Sequence, residues 1–237
     1  MLEIVNYSKR YENGKLAVNN LSLKVEPKDI FAFIGHNGAG KTTTIKSIVG
    51  ILPFTEGEIY INGLSVKDNP LECKKIIAYI PDNPDLYDNL TGISYLNFVC
   101  DVYKISKEER KQKIEEYANL FGLSDVLTNY ISSYSHGMKQ KLALISAFIH
   151  NPKLLVLDEP FVGLDPKAAY IVKNAMQDFC NKGGAIFFST HVLEVAEKIC
   201  NKVAIIKNGE LVISGDMNEI TKNQDLEEVF LELTEHA

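Results

Sequence analysis

Short apolar or alternating segments in the first third of the chain predict β-strands. The four segments are residues 2–7, 21–25, 30–34 and 58–61. Asn62 and Gly63, which follow the last of them, form a dipeptide typical of a tight turn. We therefore expect the first third of the chain to be rich in β-structure.

From about residue 87 to residue 134 the apolar spacing becomes helical. Thr91 is placed to cap a helix over residues 92–103, and Ser106 with Glu109 forms a capping box that opens a charged helix ending near Gly122. A further helix is predicted over residues 138–150. These segments predict a helical subdomain, inserted at about residues 87–150 in a single domain that spans residues 1–237.

Alternating strands and helices resume after residue 150. Strands are predicted at 154–157 and 185–189, and helices from Pro166 behind the capping residue Asp165 and over 192–200. Residues 203–207 and 210–214 flank Asn208 and Gly209 and predict a hairpin. A short helix is expected at about residues 225–234. The chain shows no internal repeat, so the pattern favours an α/β domain with a helical insertion.

Composition narrows the setting of this domain. The chain has 237 residues, of which 46% are hydrophobic, and this is enough for a sizeable core. The net charge of −6 gives no sign of the excess of positive charge that is typical of proteins that bind nucleic acid. Cys73, Cys100, Cys180 and Cys200 lack metal-finger spacing, so we expect buried thiols in a reducing compartment. No signal peptide and no apolar run of about 20 residues is found, so a cytoplasmic chain is expected.

The segment between the strand at 30–34 and a helix predicted over 41–50 carries the most specific motif. It reads Gly35, His36, Asn37, Gly38, Ala39, Gly40, Lys41 and Thr42, followed by Thr43. This is the P-loop pattern, in which backbone N–H groups turn toward an anion, the lysine reaches the β- and γ-phosphates and the threonine hydroxyl binds Mg²⁺. The amino end of the helix adds partial positive charge. The motif therefore predicts nucleotide binding.

Two adjacent carboxylates follow the apolar strand predicted at 154–157. They are Asp158 and Glu159, in the Walker B arrangement. Side chains alternate along an extended strand, so these two point to different sides. Asp158 can therefore hold the Mg²⁺ shell while Glu159 faces an attacking water. Together with the P-loop, the pair predicts nucleotide hydrolysis.

Taken together, these residues resemble the nucleotide-binding subunit of ABC transporters from about residue 2 to residue 233. Tyr11 matches an aromatic residue that stacks on adenine in this family, and Ser135 with Gly137 matches part of the signature motif. Residues 163–166 resemble the D-loop. His191 resembles the switch histidine that contacts the γ-phosphate.

Two positions depart from the family pattern. The signature usually reads Leu-Ser-Gly-Gly-Gln, whereas residues 134–138 read Tyr-Ser-His-Gly-Met. The remaining hydroxyl and backbone N–H at a helix amino end suffice to grip a γ-phosphate. Asp82 stands where the family has the Q-loop glutamine, and a carboxylate can still ligate Mg²⁺ or orient water. Similar acidic replacements, with a segment like residues 86–91, occur in ATPase subunits of bacterial exporter-type systems, so the resemblance favours export.

The resemblance implies a P-loop NTPase core with a mixed sheet, an N-terminal antiparallel β-subdomain and an inserted helical subdomain. It implies ATP and Mg²⁺ as cofactors. Thr42, Asp158 and Asp82 would lie at the metal. Glu159, His191 and Lys41 would be catalytic, with Glu159 as general base.

Partners are implied by the same resemblance. Two ATP molecules would lie between two head-to-tail subunits, in a homodimer or with a paired ATPase subunit. Each ATP would contact the P-loop of one subunit and the signature residues of the other. The helical subdomain and the loop at 82–91 would dock on a separate integral membrane permease, which would hold the chain at the inner face of the cell membrane. No nucleic-acid partner is expected.

Two other readings compete with a transporter subunit. A soluble ABC-type ATPase acting on nucleic acid or in cluster assembly commonly carries a long insertion or two ATPase units, whereas this chain has one P-loop and a short helical block. A P-loop kinase or GTPase would leave Ser135, Asp165 and His191 without a role, and no Asn-Lys-x-Asp guanine motif occurs in the sequence. The transporter subunit is favoured.

Overall fold

The computed structural model describes residues 1–222 and 224–235. Its strands are β1 Leu2–Arg10, β2 Leu16–Val25, β3 Ile30–Ile34, β4 Glu56–Ile61, β5 Leu64–Ser65, β6 Ile77–Ile80, β7 Leu154–Asp158, β8 Ala185–Thr190, β9 Lys202–Lys207 and β10 Glu210–Asp216. Its helices are α1 Lys41–Ile48, α2 Pro70–Ile76, α3 Gly92–Val102, α4 Lys107–Phe121, α5 His136–Ile149, α6 Pro166–Asn181, α7 Leu193–Ile199, α8 Met217–Ile220 and α9 Leu226–Glu235. Short 3-10 turns lie at Ser124–Val126 and Ile131–Ser133.

The strands form two sheets. An antiparallel sheet has the order β2-β1-β4-β5. A larger sheet has the order β10-β9-β3-β8-β7-β6, with β10 antiparallel and the other pairs parallel. A mixed sheet beside an antiparallel one confirms the predicted fold class.

The central strands of the larger sheet are buried on both faces. All residues of β3, β7 and β8 are buried. In β8, Ile186 and Phe188 join the core that contains the helices α3 to α7, whereas Ala185 and Phe187 join the core that contains the antiparallel sheet and α1. Since neighbouring side chains of a strand point to opposite faces, one sheet separates the two cores. The strands β3, β7 and β8 are therefore packed on both faces up to their ends.

The predicted helix caps are confirmed. The side-chain oxygens of Thr91, Ser106 and Asp165 accept hydrogen bonds from the backbone N–H groups three residues later, at 3.2, 3.2 and 2.8 Å. Gly122 ends α4 with φ 67°, a left-handed value that favours glycine. These contacts join near neighbours in the chain, which is why the sequence alone could predict them.

The region between the two predicted β-segments of residues 58–61 and 154–157 contains elements that the sequence pattern missed. They are β5, α2 and β6, and β2 also begins at Leu16 rather than at residue 21. Asn69 followed by Pro70 is a helix-start signal that could have identified α2. By contrast, β6 has four residues and is fixed by its pairing with β7, far away in the chain. The helices α1 and α7 are slightly shorter than predicted.

The cysteines are buried, as the sequence predicts. All four thiols are buried and unpaired, and burial raises the pKa of the Cys180 thiol to about 12. Over residues 1–222 and 224–235, no helix combines the length and apolar character needed to cross a bilayer.

Candidate active site

The predicted motifs meet at one edge of the larger sheet. In the parallel strands β3, β8 and β7, Ile34 pairs with Thr190 and Asp158 pairs with Ser189. The strands therefore end side by side. The P-loop after β3, the carboxylates at the end of β7 and His191 after β8 share this edge.

Two P-loop glycines are required by the backbone and its neighbours. A Cβ atom on Gly35 would lie 2.5 Å from the carbonyl oxygen of Ile206. Gly40 has φ 109°, and its Cβ would lie 2.6 Å from the carbonyl oxygen of Ala17. The loop is therefore packed tightly against β2 and β9, and no larger residue fits at either glycine without movement.

The Lys41 side chain folds under the P-loop. Its ammonium group donates to the backbone oxygens of Gly35 at 2.6 Å and His36 at 3.2 Å. Burial lowers the pKa of Lys41, while the carboxylates of Glu159 and Asp158 act in the opposite direction. The cation is therefore held inside the loop, next to the two carboxylates.

Asp158 is almost completely buried, and both of its oxygens are held. Thr42 Oγ1 donates to Oδ2 at 3.0 Å, and Ser189 Oγ donates to Oδ1. The contact from Thr42 brings the first turn of α1 to the end of β7. Among the residues described, no group of three or more His, Cys, Asp or Glu side chains could hold a metal ion alone.

Glu159 occupies an unusual backbone conformation and contacts His191. Its φ is 52°, in the left-handed region, where a residue other than glycine is strained. His191 Nδ1 lies 2.9 Å from Glu159 Oε1, and the His191 backbone N–H donates to Oε2 at 3.3 Å. The Glu159 side chain is only 13% exposed. The two contacts with His191 hold this carboxylate beside the end of β7.

A cavity of about 340 Å³ opens at this edge of the sheet. It is lined by Tyr11, Lys15, Ala17, Asn37, Gly38, Gly40, Lys41, Thr42, Thr43, Asp82, Asp158 and Glu159. Tyr11 Oη lies 3.1 Å from Thr43 Oγ1, which connects the predicted adenine-stacking residue to the helix after the P-loop.

Two lining residues were not predicted. Lys15 precedes β2 and Ala17 lies in its first residues. They reach the cavity because this end of β2 packs against the P-loop, where a Cβ on Gly40 would lie 2.6 Å from the Ala17 carbonyl oxygen. No motif in the sequence marks either residue. Ser189 was also missed, although its place at the end of a predicted strand was a usable signal.

Asp82 lines the cavity on the side of Asp158. The neighbouring Tyr79 is half-buried, and burial followed by the charges of Asp158 and Asp82 raises its pKa to about 12. The negative charges of Asp158 and Asp82 therefore both raise the pKa of the Tyr79 hydroxyl. The structure therefore places Asp82 in the lining of the same cavity as Asp158.

Ser135 and Gly137 do not line this cavity. They lie at the start of α5, where Ser135 is exposed and its hydroxyl accepts from the Met138 N–H at 3.3 Å. The intervening His136 packs against Gly163, whose added Cβ would lie 2.5 Å from the imidazole Cδ2. The signature residues are therefore separate from the P-loop within one chain.

His36 and His191 do not line this first cavity. They line a second, smaller cavity of about 170 Å³ with Ile34, Gly35, Asn37, Leu193 and Phe230. The remaining P-loop residue, Ala39, is buried, and its carbonyl accepts from the Gly209 N–H at 2.9 Å.

The chain is similar to known proteins along most of its length. The family model described as ABC transporter matches residues 18–162. A second model, described as AAA domain, putative AbiEii toxin, Type IV TA system, matches residues 128–197. The uncharacterized ABC transporter ATP-binding protein YxlF of Bacillus subtilis is 38% identical over 224 residues, which is 94% of this chain and 74% of that protein.

Solved structures agree with these sequence matches. A structure described as the ATP binding subunit of an ABC transporter has a TM-score of 0.94 at 34% identity, covering 98% of this chain and 99% of that one. The dimeric post-hydrolysis ATP-binding cassette MJ0796, bound to ADP and Pi, has a TM-score of 0.80 at 24% identity over 92% of this chain and 99% of that one, and shares the fold. The chain therefore belongs to the ABC transporter family, as an ATP-binding subunit with ATPase activity.

Proposed function

We propose that the chain dimerises head to tail around two ATP molecules and drives a separate membrane permease, in the direction of export. One observation supports the dimer. The two sets of residues expected to bind the phosphates, in the P-loop and at the start of α5, lie apart within one chain. Lys41 and Thr42 line the cavity, whereas Ser135 and Gly137 lie outside it at the exposed start of α5. A second subunit can present these two residues to the ATP held by the first. The dimeric MJ0796 cassette supports this arrangement through its shared fold.

The residues at the cavity suit Mg²⁺. Thr42 Oγ1 and Asp158 Oδ2 are oxygen atoms of the kind that ligate Mg²⁺, and they lie 3.0 Å apart. Asp82 lines the same cavity. Mg²⁺ is commonly bound by one or two carboxylates together with phosphate oxygens and water, which fits a site that lacks a complete protein cage. When bound, Mg²⁺ neutralises charge on the phosphates. Thr42 and Asp158, with Asp82, would hold it.

Glu159 is proposed as the general base for hydrolysis. Its carboxylate lines the cavity and is oriented by the His191 backbone N–H and imidazole. It can therefore accept the proton of an attacking water. Lys41 would stabilise charge that develops on the transferring phosphoryl group, and His191 would contact the γ-phosphate and the water.

The permease contact is proposed for the helical subdomain, at about residues 87–150, and the loop before it. Tyr87 and Phe98 are 56% and 46% exposed and pack edge to face, with centroids 5.8 Å apart. Exposed, clustered aromatic residues are typical of protein interfaces. Asp82 connects this loop to the cavity. Binding to the permease would keep the chain at the cytoplasmic face of the membrane. In this proposal residues 1–237 form a single ATPase domain that includes the helical subdomain.

Mixing two inactive variants tests the shared site. Lys41→Ala removes the P-loop cation, and Ser135→Arg blocks the signature. In a mixed head-to-tail dimer both defects fall in one site, which leaves the other intact. We therefore expect turnover of the mixture to recover to as much as about a quarter of wild type, since random pairing makes half of the dimers mixed. Phosphate release measures the recovery.

Two controls accompany this experiment. Each variant mixed with wild-type protein gives the loss caused by pairing alone. A pull-down with two different tags establishes that mixed dimers form. If mixed dimers form and turnover stays at the level of the separate variants, Ser135 does not act on the partner's nucleotide and the head-to-tail proposal is wrong.

Replacing Asp82 tests the link between the cavity and the permease. We expect Asp82→Ala to lower ATP turnover with little change in ATP affinity, because a group that orients the metal or water acts mainly on the transition state. Asp82→Gln should keep appreciable activity. Stimulation of turnover by the reconstituted permease should also fall in Asp82→Ala.

Asp85→Ala, a nearby change outside the cavity lining, serves as the control for the measurements of basal turnover and ATP affinity. Normal basal turnover together with normal stimulation in Asp82→Ala would contradict both the catalytic and the coupling role. In that case Asp82 would be an ordinary residue of a proline-flanked turn.

A further inference from the structure

A ring contact joins the P-loop to the last helix of the described residues. The His36 imidazole and the Phe230 ring have centroids 4.8 Å apart at an interplanar angle of 59°. Phe230 lies on α9 and is only 7% exposed. His36 is the one P-loop residue for which the structure records an aromatic partner. Aromatic pairs at this separation stabilise a particular relative orientation of the two rings.

The same part of the P-loop also holds the ammonium group of Lys41. The His36 backbone oxygen accepts a hydrogen bond from Lys41 Nζ at 3.2 Å, and the neighbouring Gly35 oxygen accepts a second one at 2.6 Å. The residue whose ring contacts Phe230 therefore also supplies a carbonyl that positions the ammonium group. His191 lies on the same small cavity as both rings.

Phe230 is presented by a helix that is fixed at both ends. The Leu226 N–H donates to Glu197 Oε2 of α7 at 3.1 Å, and Lys207 Nζ of β9 donates to the Thr234 carbonyl at 2.6 Å. Leu226 and Val229 are buried in the core on the helical side of the sheet. The helix therefore cannot turn its Phe230 ring away from His36 without breaking several contacts.

We propose that Phe230 is a positioning residue for ATP hydrolysis. It holds the His36 ring, and through the His36 backbone it fixes Lys41 at the phosphates. The last helix thereby becomes part of the nucleotide site without contacting the nucleotide. The proposal rests on the role given to Lys41 in the proposed function.

Phe230→Leu tests the proposal, since leucine keeps most of the buried apolar volume but removes the ring. We expect kcat/KM for ATP to fall by about three- to tenfold, the range set by the loss of an aromatic pair. Val229→Ala is the matched control, because Val229 is equally buried on the same helix but does not line the small cavity. Val229→Ala should lower the melting temperature and leave kcat/KM near wild type.

A double-mutant cycle with His36→Ala separates positioning from general destabilisation. If Phe230 acts through His36, the double variant Phe230→Leu with His36→Ala should lose no more activity than His36→Ala alone. For Val229→Ala combined with His36→Ala, the loss of kcat/KM should equal the sum of the two separate losses, expressed as free energies. Additive losses for Phe230 and His36, or kcat/KM of Phe230→Leu equal to that of Val229→Ala, would overturn the proposal.

Two further variants keep the test decisive. If Phe230→Leu fails to fold, His36→Phe is compared with His36→Ala: a retained ring should restore most of the activity, and equal activity in the two variants overturns the proposal. Lys41→Ala separates the role of Lys41 from the role of Phe230. If that variant keeps wild-type ATP affinity, the proposed role of Lys41 is wrong. If it loses affinity while Phe230→Leu is unaffected, only the role of Phe230 is wrong.

Discussion

Glu159→Gln is expected to bind ATP normally, to lose turnover to background and to accumulate a dimer that depends on ATP. The amide oxygen can still accept from the His191 backbone N–H, so the local structure is kept. The amide cannot take a proton from water, however, and removal of a general base typically costs about 10²- to 10⁴-fold in rate. In the dimer proposed above, ATP would then persist between the subunits, so we expect the variant to accumulate as a stable dimer.

Size-exclusion chromatography with ATP and Mg²⁺ measures the dimer, and phosphate release measures turnover. Glu108→Gln is a matched control, since it makes the same chemical change at an exposed glutamate in the first turn of α4. It should leave both readings unchanged. Wild-type turnover in Glu159→Gln would remove this residue as the base and would leave its strained backbone, with φ 52°, without a catalytic explanation.

The second large effect is expected for Lys41→Ala, which should weaken ATP binding by about ten- to hundredfold. Lys41 is the only side-chain cation in the sequence from Gly35 to Thr42, and hydrogen bonds from a cation to phosphate are among the stronger ones in proteins. Its ammonium group now donates to the Gly35 and His36 carbonyls. The alanine variant should still fold, because the change also removes the cost of burying a charge.

Isothermal calorimetry with ATP measures this loss. Lys46→Ala is the appropriate control, because Lys46 lies on the same helix but is exposed and does not line the cavity. Its affinity for ATP should match wild type. Equal affinities in Lys41→Ala and wild type would contradict the interpretation of the loop as a phosphate site.

Much of the fold near the site could be predicted because it depends on residues that are close in the chain. Thr91, Ser106 and Asp165 cap helices by contacts that span three residues. Among the elements that were missed, β6 depends on a distant partner, because its four residues form a strand by pairing with β7. The extension of β2 toward Leu16 and the helix α2 depend instead on residues nearby in the chain, whose signals the sequence pattern left unused.

By itself, the sequence determined the P-loop, its strand and helix, and the adjacent carboxylates Asp158 and Glu159, because each is a local pattern with a specific chemistry. Only the tertiary structure decided which groups meet. Parallel pairing of β3, β8 and β7 brings Thr42 to Asp158 and His191 to Glu159, over separations of 116 and 32 residues. The turn between β1 and β2 brings Lys15 to the cavity, and the packing of α9 brings Phe230 to His36. Such contacts arise from packing of whole elements, so no local pattern records them.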